Sequence, residues 1–246
     1  MEGLKRFLHQ LPKAIGAFLW DFRAGLLVVL VVLMLSLASQ IALERGIVTR
    51  DQLAASRNNP FGAVTAIFAH WDRSRLAENV SGLLLYVGLF LFTNSYHCRT
   101  ERERRGRWLV VLSFPAAVAA NVAYIAMSPG STLGASGLVY SILGIAFAFF
   151  LINAVREGGD LAQRFRAHGT NSGNPRTIMR SLFWFSMNAT SFLFFVYYLS
   201  VDQGGLFGVG ERGINAFAHL MGFGLGFGVT GFRWFRSLDR HGAIPA

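Results

Sequence analysis

Six runs of mostly apolar residues, each about as long as a bilayer is thick, constrain this chain more than any other feature. The runs cover 24–44, 78–98, 108–127, 134–155, 180–200 and 214–235. A helix needs roughly 20 apolar residues to cross the hydrocarbon core. Because the chain has 246 residues, six spans and their loops leave no room for a separate soluble domain. The sequence therefore predicts an all-α, polytopic membrane protein, a bundle of six transmembrane helices.

Positive charge is distributed unequally between the two sets of loops. If the N-terminus is cytoplasmic, 17 of the 23 Lys and Arg residues fall in cytoplasmic segments and six fall outside. Cytoplasmic loops carry an excess of these residues, so both termini are predicted to be cytoplasmic, in a cell membrane. Orientation thus accounts for the net charge of +10. The basic residues are scattered over several loops, which does not favour nucleic-acid binding.

The spans divide the chain into three parts. Residues 1–23 are predicted to be an amphipathic cytoplasmic segment, 24–235 the membrane domain and 236–246 a cytoplasmic tail. The apolar stretch 61–69 is too short to span a bilayer and is expected to be interfacial or re-entrant. The segment 156–180, rich in Gly, Asn and Arg, is expected to be a flexible connector.

Two polar residues in the spans are candidates for chemistry, because polar groups inside a bilayer are costly. Ser136 lies near the start of the fourth run and His219 near the start of the sixth. Both follow an outside loop closely, so they are expected at similar depth. A serine hydroxyl is a weak nucleophile until a base takes its proton, and histidine is a suitable base. Ser136 alone would more often be structural, but the pair at one depth favours a nucleophile and its base.

Small residues form a stripe on the fourth run and another on the sixth. The stripes are Gly137, Ser141 and Gly144, and His219, Gly222 and Gly226. Such faces let membrane helices approach closely, so the two runs are predicted to pack together. Tyr140 lies one turn after Ser136, where its ring is expected to support the imidazole.

The remaining polar residues are given structural interpretations. Cys98, the only cysteine, is expected to pack at a helix end, and His97 to lie at the membrane interface. Asn121, Asn153 and Asn188 are expected to form hydrogen bonds between helices. No spacing of His, Asp and Glu indicates a metal site, and HExxH is absent. Neither a metal nor another cofactor is predicted.

Two complete motifs resemble those of the rhomboid family of intramembrane serine proteases. GASG at 134–137, followed by Tyr140, is similar to the family's GxSG nucleophile motif. AHLMGFGLG at 218–226 is similar to the AHxxGxxxG motif of the last core helix. The resemblance covers about residues 24–235 and implies the six-helix fold of prokaryotic members.

A third family motif, HxxxxHxxxN, is partly present at the entry to the second span. His70 and Asn79 match it, whereas Arg75 stands in place of the middle histidine. The resemblance implies that Ser136 attacks a peptide carbonyl while His219 transfers the proton. It also implies that Asn79 and the Ser136 N–H stabilise the oxyanion, with support from His70, Gly134 and Tyr140. Arg75 either replaces the histidine as a charged donor or points to lipid headgroups.

The partners implied are transmembrane protein substrates, cleaved near their outer helix ends, and the lipid bilayer. The glycine-rich segment 201–213 is predicted to be a mobile lid. The sequence does not indicate an oligomeric state. Two alternatives stay open. One is a catalytically weak or inactive rhomboid-like protein that binds membrane clients, favoured by Arg75. The other is a small transporter or channel, which predicts acidic residues or broken helices within the spans.

Overall fold

The computed structural model describes residues 15–168, 175–201 and 216–241. Residues 15–21 are helical, and from Arg23 onward the helices are α1 (Arg23–Glu44), α2 (Arg50–Leu53), α3 (Gly62–Thr65), α4 (Arg73–Asn94), α5 (Arg99–Met127), α6 (Ser136–His168), α7 (Pro175–Val201) and α8 (Ala216–His241). Within these ranges, β pairing is limited to isolated bridges between Ala55 and Thr132 and between Ser56 and Asn59. The predicted all-α class is confirmed.

Five of the helices, α1, α4, α5, α6 and α7, are long and apolar enough to cross a membrane. The chain therefore has the character of a multi-pass membrane protein. The sixth predicted span coincides with α8, which has 26 residues but is not among the five. α8 contains five glycines and His219, which contribute little or nothing to its apolar character.

Two helix starts differ from the predicted boundaries. α4 begins at Arg73, five residues early, because the Asp72 carboxylate accepts a hydrogen bond from the Arg75 backbone N–H at 2.9 Å and caps the helix. α5 begins at Arg99, well before the apolar run. Its charged first turns are stabilised by pairs four residues apart, Arg99 with Glu103 and Glu101 with Arg105.

The expectation of a flexible connector over 156–180 is wrong for most of that segment. α6 continues to His168, and α7 already begins at Pro175, the helix position at which proline is favoured. Gly158 does not break α6, because a Cβ there would lie only 3.2 Å from the Phe185 ring of α7. Residues 169–174 lie outside the described ranges, as do 1–14 and 242–246 of the predicted terminal segments.

The central helix of the bundle is α6. In its most apolar stretch 83% of the residues are buried, against 12–33% in the corresponding stretches of the other four candidate spans. It packs against α4, α5, α7 and α8 through apolar side chains such as Leu138, Ile142 and Phe149. The helix that begins with Ser136 is therefore surrounded by the rest of the bundle.

The predicted small-residue faces of α6 and α8 do meet. A Cβ on Gly222 would overlap the carbonyl oxygen of Gly137, and a Cβ on Gly226 would overlap that of Ser141. The two contacts are four residues apart on α6 and four residues apart on α8, in the same order, so the two helices run in the same direction. Their first residues thus lie at the same end of the bundle. We call this the serine end. It also holds the segment 45–72.

Candidate active site

The chain enters α6 through a strained glycine tied to the segment 45–72. Gly134 has a φ of 138°, a conformation that residues with a side chain rarely adopt. Its N–H donates to the Ala66 carbonyl at 2.9 Å. The Asn121 amide of α5 donates to the Ala63 carbonyl, also at 2.9 Å. These bonds hold segment 45–72 against the start of α6, where Ser136 is the first helical residue.

Tyr140 and His219 are in direct contact. Their ring centroids are 4.2 Å apart and their planes differ by 14°, so the rings are stacked. His219 is buried, with 8% of its surface exposed. The contact expected between the Tyr140 ring and the imidazole is therefore present in the structure. It fixes His219 beside α6, one turn beyond Ser136.

The contact register places Ser136 and His219 at nearly the same depth. His219 lies three residues before Gly222, and Ser136 lies one residue before Gly137, the residue that Gly222 contacts. A difference of two residues is about 3 Å along a helix axis. The nucleophile and base expected from the sequence thus occupy neighbouring helices at matching heights.

Polar atoms of Ser136 and Asn79 lie close together next to Gly134. A methyl group placed on Gly134 would lie 3.7 Å from Ser136 Oγ, 3.9 Å from the Ser136 backbone N and 4.0 Å from Asn79 Nδ2. The Asn79 amide also donates to the Arg75 carbonyl at 3.0 Å. Since an amide NH₂ has two donors, one remains for another acceptor. A developing oxyanion needs donors grouped in this way.

Arg75 is engaged on the surface of α4. Its guanidinium pairs with Glu78 at 3.0 Å, and the two side chains are 37% and 58% exposed. Sequence reasoning left two roles open for Arg75, a charged donor or a contact with headgroups. The structure shows a third arrangement, an ion pair within one helix.

His70 lies on a cavity of about 410 Å³ at the end of α1. It is 1% exposed, and neither ring nitrogen has a hydrogen-bond partner. Burial lowers the pKa of His70 to about 4, although the nearby Asp72 carboxylate opposes the shift. The ring is therefore neutral near pH 7.

A polar network at the opposite end of the bundle was not predicted as a unit. We call it the arginine end network; its members are Asn94, His97, Glu101, Arg105, Asn153 and Asn188. The Arg105 guanidinium donates to the Asn94 and Asn153 side-chain oxygens at 2.6 and 2.8 Å. Asn153 donates to the Thr93 carbonyl and the Asn188 side chain. Asn121, Asn153 and Asn188 were expected to form hydrogen bonds between helices. The hydrogen bonds that Asn121 and Asn153 donate confirm this expectation, and so does the bond that the Asn188 side chain accepts from Asn153.

His97 is buried, and its Nε2 lies 3.2 Å from the Asn153 side-chain oxygen; its expected position at the membrane interface stays a prediction. Burial, together with the Arg105 charge, lowers the pKa of His97 to about 3. One interpretation at this end is wrong. Cys98 is exposed and not packed. No sequence signal marked Arg105 as buried, because it sits in a charged run among exposed arginines.

The arrangement at the serine end suits acyl transfer: a hydroxyl, an imidazole at the same depth and convergent donors. Across the described ranges, no group of three or more His, Cys, Asp or Glu side chains could hold a metal ion. The predicted lid, apart from Val201, lies outside those ranges. No protein-family model, curated protein or solved structure matches the chain.

Proposed function

We propose that this chain is a rhomboid-type intramembrane serine endopeptidase, with Ser136 as nucleophile and His219 as base. The observation that carries the proposal is the stack of Tyr140 on His219, one helical turn from the first residue of α6. The backbone contacts of Gly222 and Gly226 support it, since they bring α8 against the first turns of α6, where Ser136 lies.

The proposed reaction follows from these positions. His219 takes the Ser136 hydroxyl proton as Oγ attacks a peptide carbonyl carbon. The oxyanion that forms accepts hydrogen bonds from the Ser136 N–H and the free donor of Asn79. The C–N bond then breaks, His219 gives its proton to the leaving amine, and an acyl-enzyme remains on Ser136. Water, deprotonated by His219, hydrolyses that ester and restores the serine.

With the proposed orientation of the chain in the bilayer, the reaction takes place at the outer face of a cell membrane. Both termini are cytoplasmic in this proposal, on the basis of the 17 and six positive residues in the two sets of loops. The serine end then faces outward, because α6 and α8 begin there. Substrates are transmembrane proteins that unwind near their outer helix ends, with the bilayer as the common medium.

The second candidate is a catalytically weak or inactive rhomboid-like protein that binds membrane clients. The ion pair of Arg75 with Glu78 favours it, because the family histidine at this position contributes to the oxyanion site. Loss of one oxyanion donor typically lowers the rate by about 10²–10³-fold. This candidate therefore predicts an intact fold with little or no cleavage.

Cleavage of a fluorogenic transmembrane substrate by purified protein in detergent tests the proposal. We expect Ser136→Ala and His219→Ala each to lower the rate by at least about 10³-fold. Ser141→Ala is the matched control. Ser141 lies on the same helix, but its single O–H is shared between the Ser113 and Leu138 carbonyls, so its loss should leave cleavage close to wild type.

Labelling by a fluorophosphonate gives a second readout that does not need the right substrate. We expect a covalent adduct on Ser136 of the wild type and none in His219→Ala, because the hydroxyl is activated only beside its base. Cleavage that persists in Ser136→Ala would refute the assignment of the nucleophile. Absence of both labelling and cleavage in the folded wild type would leave the client-binding function as the better account.

A further inference from the structure

The cavity at the end of α1 has the size and polarity of a ligand site. Its volume of about 410 Å³ is within the range of small-molecule pockets. We call it the α1-end cavity. It is lined by Gln40, Leu43, Glu44, Gly46, Val48, Thr49, Arg50, His70 and Trp71. None of these residues belongs to the proposed dyad or its hydrogen-bond donors. His70 is named above only as a residue that supports the oxyanion site.

Two buried side chains on the α1-end cavity have unmet hydrogen-bonding capacity. Gln40 is 7% exposed and its Oε1 atom has no partner, while both ring nitrogens of His70 have none. Buried polar groups without partners are rare, because each costs about 1–3 kcal/mol. The neutral imidazole has one acceptor nitrogen and one N–H donor. All three atoms are closed to water, so an occupant reaches these two acceptors and one donor when the Gln40 and His70 side chains turn toward it.

Charge on the rim favours an anionic group at one side. Glu44 is neutralised by Arg73, which binds both carboxylate oxygens at 2.7 Å. Arg50 donates to the Trp71 carbonyl at 2.9 Å and lies 5.7 Å from the Trp71 ring. Among residues 15–168, 175–201 and 216–241 it forms no ion pair. Its remaining N–H groups are suited to a phosphate.

The cavity lies where lipid headgroups would reach it. α1 ends at Glu44 after a run long enough to span a bilayer, and the neighbouring Ile47 and Trp71 are 70% and 38% exposed. Tryptophan favours the level of the headgroups. A group entering from the bilayer would thus meet Arg50 at the rim and Gln40 inside.

We propose that the α1-end cavity binds the headgroup of an aminophospholipid, a phosphate joined to a primary ammonium. The phosphate accepts from Arg50 and from the His70 N–H. The ammonium donates to Gln40 Oε1 and to the acceptor nitrogen of His70. A choline headgroup has no N–H to donate, so the site discriminates between the two lipids. The proposal does not depend on proteolysis, and Ser136→Ala should bind lipid as the wild type does.

Native mass spectrometry of delipidated protein, titrated with phosphatidylethanolamine or phosphatidylcholine of identical chains, tests this. We expect the wild type to hold the ethanolamine lipid about 100-fold more tightly, the effect of two charge-assisted hydrogen bonds. Gln40→Leu should reduce that preference about tenfold, because the His70 acceptor remains, while its choline affinity is unchanged. Arg50→Gln should weaken both lipids about tenfold.

Arg57→Gln is the matched control. Arg57 is another arginine of segment 45–72 that donates to backbone carbonyls, those of Ile125 and Ala126, and it does not line the cavity. Its lipid affinities should equal those of the wild type. Soluble glycerophosphoethanolamine should displace the lipid, whereas equal displacement by inorganic phosphate would overturn the ammonium contact. Equal affinity for both lipids in the wild type would overturn the proposal and leave a cavity that holds only water.

Discussion

The two ends of the bundle use polar residues in opposite ways. In the arginine end network, buried polar side chains are bonded to one another: Arg105 to Asn94 and Asn153, and His97 to Asn153. At the serine end, His70 and Gln40 keep buried atoms without partners. The serine end is held instead by backbone bonds such as Gly134 to Ala66 and by the close approach of α6 and α8.

This difference separates stability from function. A satisfied buried network rigidifies a structure, and breaking one member leaves its partners unpaired. Unsatisfied polar groups lower stability and persist where a ligand or a reaction needs them. We therefore expect substitutions in the arginine end network to act on the free energy of unfolding, and substitutions at the serine end to act on activity, binding or pH dependence.

The largest effect on stability is expected at Arg105. Arg105→Met should lower the free energy of unfolding by about 4 kcal/mol, because Glu101, Asn94 and Asn153 lose a buried charged partner. The measurement is unfolding by sodium dodecyl sulfate in mixed micelles. Labelling of Ser136 by fluorophosphonate at low temperature should be unchanged, since α6 begins about 25 Å from Asn153.

Arg104→Met is the control for Arg105. Arg104 also pairs with Glu101, but its side chain is 52% exposed whereas that of Arg105 is 4% exposed. Exposed ion pairs contribute about 0–1 kcal/mol, so Arg104→Met should be nearly neutral. Equal effects of the two substitutions would mean that burial of the arginine end network contributes little.

The second effect concerns pH and His70. Its pKa is about 4 in the folded chain and about 6.5 when unfolded. The unfolded chain therefore binds the proton first as pH falls. This uptake stabilises the unfolded chain and so lowers the free energy of unfolding. Above pH 6.5 this destabilisation is absent, and between pH 6.5 and 4 it grows to about 3 kcal/mol.

His70→Gln should remove that slope. The groups around His70 that also bear charge are Glu44, Arg50, Asp72 and Arg73, and they are unchanged in the variant. The difference between the two unfolding curves, measured from pH 7 to 4, isolates the histidine. His97→Gln at the arginine end provides a comparison, since its pKa is also lowered but its ring has a partner in Asn153. A parallel pair of curves for wild type and His70→Gln would contradict the burial argument.

A third effect tests the contact between α6 and α8. Gly226→Ala should destabilise the protein by about 2 kcal/mol and lower activity, because the methyl group pushes α8 and His219 away from the Ser141 carbonyl. Gly224→Ala on the same helix has nothing within 4 Å of the added atom. It should stabilise slightly, since alanine favours helix over glycine. Thermal unfolding measures the stability of both variants, and substrate cleavage measures the activity of Gly226→Ala. Stability that changes in the same direction in both variants would refute the close contact between α6 and α8.

The sequence was sufficient for features that repeat along one helix. The all-α class follows from the apolar runs and the small-residue faces from helical spacing, and the structure confirms both. Helical spacing also places Tyr140 one turn after Ser136, where its ring contacts His219. The arginine end network was missed because burial of Arg105 depends on Asn153, which is 48 residues away in the chain. The helix over 156–168 was missed because Gly158 reads as a breaker until Phe185 packs against it. The α1-end cavity joins a helix end to a loop, which spacing cannot reveal.

The smallest effect is expected at Arg75, the position that departs from the family pattern. Arg75→Gln should change the free energy of unfolding by less than about 0.5 kcal/mol, because its pair with Glu78 is an exposed contact within one helix. Cleavage should also be unchanged, since the guanidinium is held by Glu78 rather than beside Ser136. Unfolding in mixed micelles and cleavage of the fluorogenic substrate check both statements. A loss of several-fold in cleavage with unchanged stability would mean that Arg75 leaves Glu78 during the reaction and donates to the oxyanion. The serine end would then contain a polar group that is paired at rest and used in catalysis, and its contrast with the arginine end network would weaken.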